Sequence, residues 1–254
     1  MRLTTLGTGT ASPSTRVNAG HLLEAGAVTL LLDCGSGVVH RMGELGANWL
    51  GITHVAITHF HPDHTLDLTT LIFAWKYGTL PPRSAPLVIL GPTGIAALME
   101  SFATIYGDTL RTPGFPLEIR ELAPGERAEL GDGVTLETHK VPHTAESVAY
   151  SVERGGVRMV YTGDTAFDTA VAEWAQGCDL LLCECSLPEQ LAVSTHLTPA
   201  QVGVMAEVAD PKRLVLTHFY PPVLDEDISE IIALRYSGEV VIADDGWSTD
   251  IEER

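Results

Sequence analysis

Thr58-His59-Phe60-His61-Pro62-Asp63-His64 decides how this chain is read. Three imidazoles and a carboxylate crowd together directly behind the apolar run Val55-Ala56-Ile57. In a core such crowding would leave polar groups without partners and would be penalised. At a strand end the same residues present nitrogen and oxygen ligands suited to zinc, or to manganese or iron. The plainer reading is a polar loop in which Asp63 caps the next helix, and the three histidines beside it argue against that. His59 and His61 can turn to one cation while Asp63 and His64 reach a neighbouring one.

Two cations need more donors than this run holds. Polar residues recur where other apolar runs end, at Pro142-His143, Gly163-Asp164 and Thr217-His218. Loops at strand ends can converge on one rim of a sheet sandwich, where function often sits. We therefore assign His59, His61 and His143 to one site and Asp63, His64 and His218 to the other. Asp164 is shared, because its two oxygens can each face a cation. Taken singly, His143 or His218 reads equally well as a hydrogen-bonded structural histidine; beside the His-x-His-x-Asp-His run the ligand reading is stronger. Asp33 is read as holding a ligand histidine rather than as a ligand itself.

Around these points, β-branched apolar runs alternate with helix-like stretches. Strands are predicted at Arg2–Gly7, Val28–Asp33, His54–Thr58, Leu87–Leu90, Val134–Val141, Val148–Val152, Val157–Thr162, Leu180–Cys183, Leu214–Thr217 and Glu239–Ile242. Helices are predicted at Val38–Leu45, Leu66–Tyr77, Thr93–Tyr106, Thr169–Ala175, Pro199–Val208 and Asp225–Leu234. Thr198-Pro199 reads as an N-cap followed by proline at the first helical position. Adjacent strands look antiparallel in places, so two sheets with helices outside them fit better than one doubly wound sheet. No linker or low-complexity tract divides the chain, and residues 1–254 are read as a single α/β (α+β) domain.

Formal charge narrows the partners. With 33 acidic residues against 15 Lys plus Arg, the net charge is −18. Proteins that hold nucleic acid present cations to its phosphates, which supply most of the affinity. Few are available here, which favours a small substrate over a folded RNA. No apolar run reaches the roughly 18 residues that would cross a bilayer. The start Met1-Arg2-Leu3-Thr4-Thr5-Leu6-Gly7 lacks the apolar stretch of a signal peptide. A cytoplasmic protein is expected, and Cys34, Cys178, Cys183 and Cys185, without a Cys-x-x-Cys pair, read as small buried side chains.

The His-x-His-x-Asp-His run resembles the metallo-β-lactamase superfamily, and further motifs are similar to its ribonuclease Z branch. They are Leu6-Gly7-Thr8-Gly9, Leu32-Asp33-Cys34-Gly35, Gly163-Asp164-Thr165, Cys183-Glu184, His196-Leu197-Thr198 and Leu216-Thr217-His218-Phe219. The resemblance implies a four-layered αββα sandwich with a dinuclear site at its rim. It also implies a catalytic pair: His196 contacts the scissile phosphate or donates a proton, and Glu184 supports it. The residues are compatible, since a carboxylate would orient His196 and raise its pKa. A surface salt bridge is the plainer reading of Glu184. Asp63 joins His196 and Glu184 as a catalytic candidate.

Two divalent ions, zinc first with manganese or iron as alternatives, would share a bridging hydroxide able to attack a phosphodiester. Acyl hydrolysis could use the same nucleophile, so motif detail matters. Related thioesterases and lactonases carry His-Thr-Pro-Gly-His at the third ligand, where this chain has His143-Thr144-Ala145-Glu146-Ser147. True β-lactamases usually lack the histidine that follows the aspartate, and His64 is present. Ribonuclease Z enzymes commonly insert a long arm between the positions of His143 and Asp164, where this chain has two short strands and the Arg154-Gly155-Gly156 turn. The sequence therefore favours a small phosphodiester, such as a cyclic nucleotide or cyclic phosphate. tRNA 3′ processing, with a homodimer implied by the family, is the alternative; a metal-dependent sensor without turnover ranks last. Trp75, Tyr77, Phe219 and Tyr220 could stack on a base, but packing is the better reading of each.

Overall fold

The computed structural model describes residues 1–252. β1 (Arg2–Gly7), β2 (Gly20–Ala25) and β3 (Val28–Leu32) run as an antiparallel meander, to which β4 (His54–Ala56), β5 (Leu87–Gly91) and β6 (Leu117–Glu121) add in parallel. The second sheet repeats this plan. β7 (Arg127–Gly131), β8 (Val134–Lys140), β9 (Val148–Arg154) and β10 (Val157–Tyr161) are antiparallel. β11 (Leu180–Glu184), β12 (Arg213–Thr217) and β13 (Glu239–Ile242) then follow in parallel. β14 (Ser248–Asp250) returns to the first sheet, antiparallel to β1. Among the described residues each sheet has seven strands.

Alternation along the strands explains the layering, because successive side chains face opposite sides of a sheet. On β3, Val28, Leu30 and Leu32 join the core between the sheets, while Leu31 packs in the core beneath the outer helices. On β11, Leu180 and Leu182 face inward, and Leu181 and Cys183 face the other helical layer. α1 (Val38–Glu44), α3 (Asp67–Tyr77) and α4 (Ile95–Tyr106) cover the first sheet. α6 (Thr169–Trp174), α7 (Pro199–Ala209) and α8 (Ile228–Ala233) cover the second. The result is the αββα sandwich expected from the sequence. All four cysteines are buried, and no helix among the described residues is long and apolar enough to cross a membrane.

Differences from the predicted elements are local. The helix predicted at Leu66–Tyr77 is α3, which starts one residue later and is preceded by the separate short α2 (Pro62–Thr65), while α5 (Asp108–Arg111) is not among the predicted helices. The last predicted helix, Asp225–Leu234, starts later, at Ile228, because Asp227 caps α8 by accepting the Glu230 N–H at 3.1 Å; a 3₁₀ turn at Pro221–Asp225 precedes it. Thr198 caps α7 as expected, in a reciprocal capping box with Gln201. The parallel strands β4, β10, β11 and β12 end toward the loops that carry the candidate residues.

Candidate metal centre

Each candidate sits on a loop that the sandwich grips. His59 follows β4, where the Ile57 carbonyl accepts the Tyr150 hydroxyl at 2.6 Å and the Thr58 carbonyl accepts the Val148 N–H at 3.1 Å. Asp63 and His64 lie on α2, which packs against the turn after β3. There Cys34 N–H bonds the His64 carbonyl at 2.8 Å. Gly35 permits this approach, since a Cβ in its place would stand 1.9 Å from the Asp63 carbonyl oxygen. His143 occupies the turn between β8 and β9, Asp164 follows β10, Glu184 ends β11, and His218 follows β12.

The side chains converge as the sequence suggested. His59, His61, His143 and Asp164 bring potential ligand atoms within 4.8 Å of one another, and so do Asp63, His64 and His218. Asp164 stands between the groups. Its Oδ1 is 3.2 Å from both His64 Nε2 and His218 Nε2, and its Oδ2 is 3.7 Å from His59 Nε2 and His143 Nε2. Imidazole nitrogens face each other at 3.0 Å (His59 Nε2 to His61 Nδ1), 3.1 Å (His143 Nε2 to His61 Nδ1) and 3.3 Å (His64 Nε2 to His218 Nε2).

The outward nitrogens are held. His64 Nδ1 lies 2.8 Å from Asp33 Oδ2, His143 Nδ1 2.8 Å from the Thr195 carbonyl, and His59 Nδ1 3.1 Å from Thr58 Oγ1. A proton on Nδ1 leaves Nε2 with a lone pair, so these rings turn lone pairs into the centre. His61 alone presents Nδ1. The buried Asp164 Oδ1 has no hydrogen-bond partner despite its two close nitrogens. Lone pairs at this spacing repel unless a proton or a metal cation lies among them. The donor set thus fits divalent metal, with nitrogen and oxygen ligands and outer partners that fix the rings.

Electrostatics agrees. Burial disfavours charge on His64, but Asp164 and Asp33 overcome it and hold its pKa well above the ordinary value. Burial likewise opposes ionisation of Asp164, yet His218 and His64 hold its carboxyl well below the usual range. His59 moves the other way, kept neutral by burial and by the imidazoles around it. The cluster draws positive charge to its middle.

His196 lies beside this cluster, its ring centroid 4.9 Å from that of His143 and 5.5 Å from that of His218. Glu184 is fully buried and is not a surface salt bridge. Its oxygens lie 3.1 and 3.2 Å from His196 Nδ1 and accept the N–H groups of Thr165 at 2.6 Å and Leu197 at 3.2 Å. Burial lowers the His196 pKa, but the hydrogen bond and charge of Glu184, with Asp164, outweigh it and raise the value to about 9. Asp33 is buried beneath the site, taking Thr58 N–H at 2.8 Å, Thr58 Oγ1–H at 2.9 Å and the Tyr161 hydroxyl at 2.8 Å besides His64. Tyr161 and Thr58 carry no sequence signal for this role. Among the aromatics, Trp75 and Phe219 are core residues and Tyr77 is exposed on α3. Of these four, Tyr220 flanks the site, its ring 6.0 Å from His196.

Known proteins point the same way. A ribonuclease Z from Mycobacterium bovis is 27% identical over 280 aligned positions, covering all of this chain and 99% of the relative. The crystal structure of the metallo-beta-lactamase fold protein YhfI from Bacillus subtilis superposes with a TM-score of 0.84 at 24% identity, over 98% of each chain. Human tRNase Z, short form, gives 0.81 at 23% identity over 99% of this chain and 100% of that one. Both structures share the fold. The family model described as the beta-lactamase superfamily domain matches residues 28–219, which contain every candidate ligand. Family and donor set together make the chain a metal-dependent hydrolase that belongs to the beta-lactamase superfamily, with the metallo-β-lactamase fold.

Proposed function

We propose that this hydrolase cleaves small phosphodiesters, such as cyclic nucleotides or cyclic phosphates, at a dinuclear centre. His59, His61 and His143 would hold one divalent ion and Asp63, His64 and His218 the other, with Asp164 facing both; zinc is the first candidate. When bound, such ions supply an activated water and offset charge on the phosphoryl oxygens. Glu184 orients His196 through Nδ1, so that the ring's other nitrogen can donate a proton to the leaving oxygen or bond a phosphoryl oxygen. Both sheets contribute to this centre, which supports treating residues 1–254 as one functional domain.

The observation that carries this reading is the buried Glu184–His196 pair next to the ligand cluster, since a sensor that only binds needs no proton donor. The preference for a small substrate rests on charge. Every Lys and Arg among the described residues already bonds a carboxylate, carbonyl or hydroxyl. Lys140 ends β8 near the site, and Arg16 lies on the loop between β1 and β2. Lys140 donates to the carbonyls of Thr144, Ala145 and Ser147; Arg16 donates to Thr8 and Ala243 and pairs with Asp244. With a net charge of −18, few cations are left over to contact an RNA backbone.

A ribonuclease Z activity is the second reading, favoured by the full-length match to the Mycobacterium bovis enzyme. The test is one assay panel on metal-loaded protein: bis(p-nitrophenyl) phosphate, 2′,3′- and 3′,5′-cyclic nucleotides, and a pre-tRNA. Turnover of the small diesters, lost in His196→Ala with metal content intact, is expected. Efficient pre-tRNA cleavage with no small-diester turnover would reverse the order. Loss of metal in His196→Ala would mean that His196 had been assigned the wrong role.

A further inference from the structure

Glu184 and His218 are joined by one hydroxyl. Ser186, fully buried, places Oγ against Glu184 Oε2, 3.0 Å from His218 Nδ1 and 3.0 Å from the His218 carbonyl oxygen. A hydroxyl carries one proton and two lone pairs. Two acceptors compete for that proton, and the ionised Glu184 is the stronger. Ser186 must then accept from His218, which places the ring proton on Nδ1 and leaves Nε2 with its lone pair. Nε2 is the atom that faces Asp164 Oδ1 at 3.2 Å and Asp63 Oδ2 at 3.6 Å.

The same arrangement occurs across the sandwich. Asp33 bonds His64 directly and reaches His59 through Thr58, whose hydroxyl lies 2.9 Å from Asp33 Oδ2 and 3.1 Å from His59 Nδ1. Glu184 bonds His196 directly and reaches His218 through Ser186. In each sheet, one buried carboxylate thus serves two imidazoles, the second by way of a hydroxyl. Ser186 also steadies the backbone of an unusual residue. His218 has φ +60, a left-handed conformation rarely adopted outside glycine. The chain is pinned before it by Cys185 N–H to the Thr217 carbonyl at 2.9 Å, and after it by Phe219 N–H to the Thr8 carbonyl at 2.9 Å and Tyr220 N–H to the Ser186 carbonyl at 3.1 Å.

We infer that Ser186 is a positioning residue that sets the tautomer of His218 and ties this ligand to the carboxylate holding His196. The inference rests on His218 being a metal ligand, as proposed above. It assigns Ser186 no contact with substrate.

The test combines ¹⁵N-histidine NMR of apoprotein with zinc titration against a chromophoric competitor, on wild type and Ser186→Ala. In wild-type apoprotein His218 should be the Nδ1–H tautomer. In the variant that preference should be lost, and one of two zinc equivalents should weaken about 10–100-fold, the usual effect of removing such an outer partner. An unchanged tautomer in Ser186→Ala would overturn the role of Ser186 alone. A changed tautomer with zinc affinity intact would overturn the ligand reading of His218. Should the variant not fold, the wild-type spectrum still decides, because an Nε2–H His218 is incompatible with the inference.

Discussion

His21 should make the protein sensitive to mild acid, and the size of the effect can be worked out. Its side chain shares the inward face of β2 with Leu23, is fully buried, and leaves both ring nitrogens without a hydrogen-bond partner. The edge-on Tyr161 ring, 5.0 Å away, offers no acceptor to a proton there. Burial first, then the charges of His64 and His218, lower the His21 pKa to about 3. The unfolded chain titrates near 6.5. Because the folded pKa is depressed, the stability is complete above pH 6.5 and is lost as pH falls toward 3, at about 1.4 kcal/mol per unit. Between pH 7.5 and 5.5, which stays above the pI of about 4.8, the loss should be about 1.4 kcal/mol. His21→Leu removes the titrating group and keeps an apolar side chain between the sheets. Urea unfolding with chelator present, at both pH values, reads the difference between wild type and variant. Their stabilities should diverge by about 1.4 kcal/mol on acidification. Parallel acid losses would refute the reasoning and mean that His21 has a proton acceptor in solution.

Three further outcomes follow from the site. Asp33→Asn can keep the Thr58 N–H bond only by turning its amide NH₂ toward His64 Nδ1. That drives the His64 proton to Nε2 and should weaken one zinc equivalent about 10–100-fold in competition titrations. Gly35→Ala places a methyl against the Asp63 carbonyl and should cost about 3 kcal/mol, read as a melting temperature lowered by about 6–12 °C. Chelation should lower stability by about 2.7 kcal/mol per site relative to protein held at a hundred times the dissociation constant, measured by paired thermal melts.

Much of the centre was legible because its chemistry is concentrated. The His59–His64 run could hardly be core, and the other ligands stood directly behind apolar runs, so strand ends marked the rim before the strands were paired. The Glu184–His196 contact came from family resemblance, since the eleven intervening residues carry no local pattern. Ser186 and Tyr161 stayed hidden because a lone serine or a strand tyrosine acquires meaning only from what the fold sets beside it. The same holds for strands. β6 and β14 are polar edge strands, and β7 is an edge strand of alternating exposure; such segments are strands because a neighbour offers a ladder, not because of their own pattern. β2 was overlooked despite its burial, since Gly20 and His21 interrupt its short apolar run.

Anomalous diffraction from crystals of the zinc-loaded protein, with elemental analysis of the same sample, tests the central claim most directly. Two ions per chain are predicted, one on His59, His61 and His143, the other on Asp63, His64 and His218, with one Asp164 oxygen directed at each. A single ion, or ions bound away from Asp164, would contradict it.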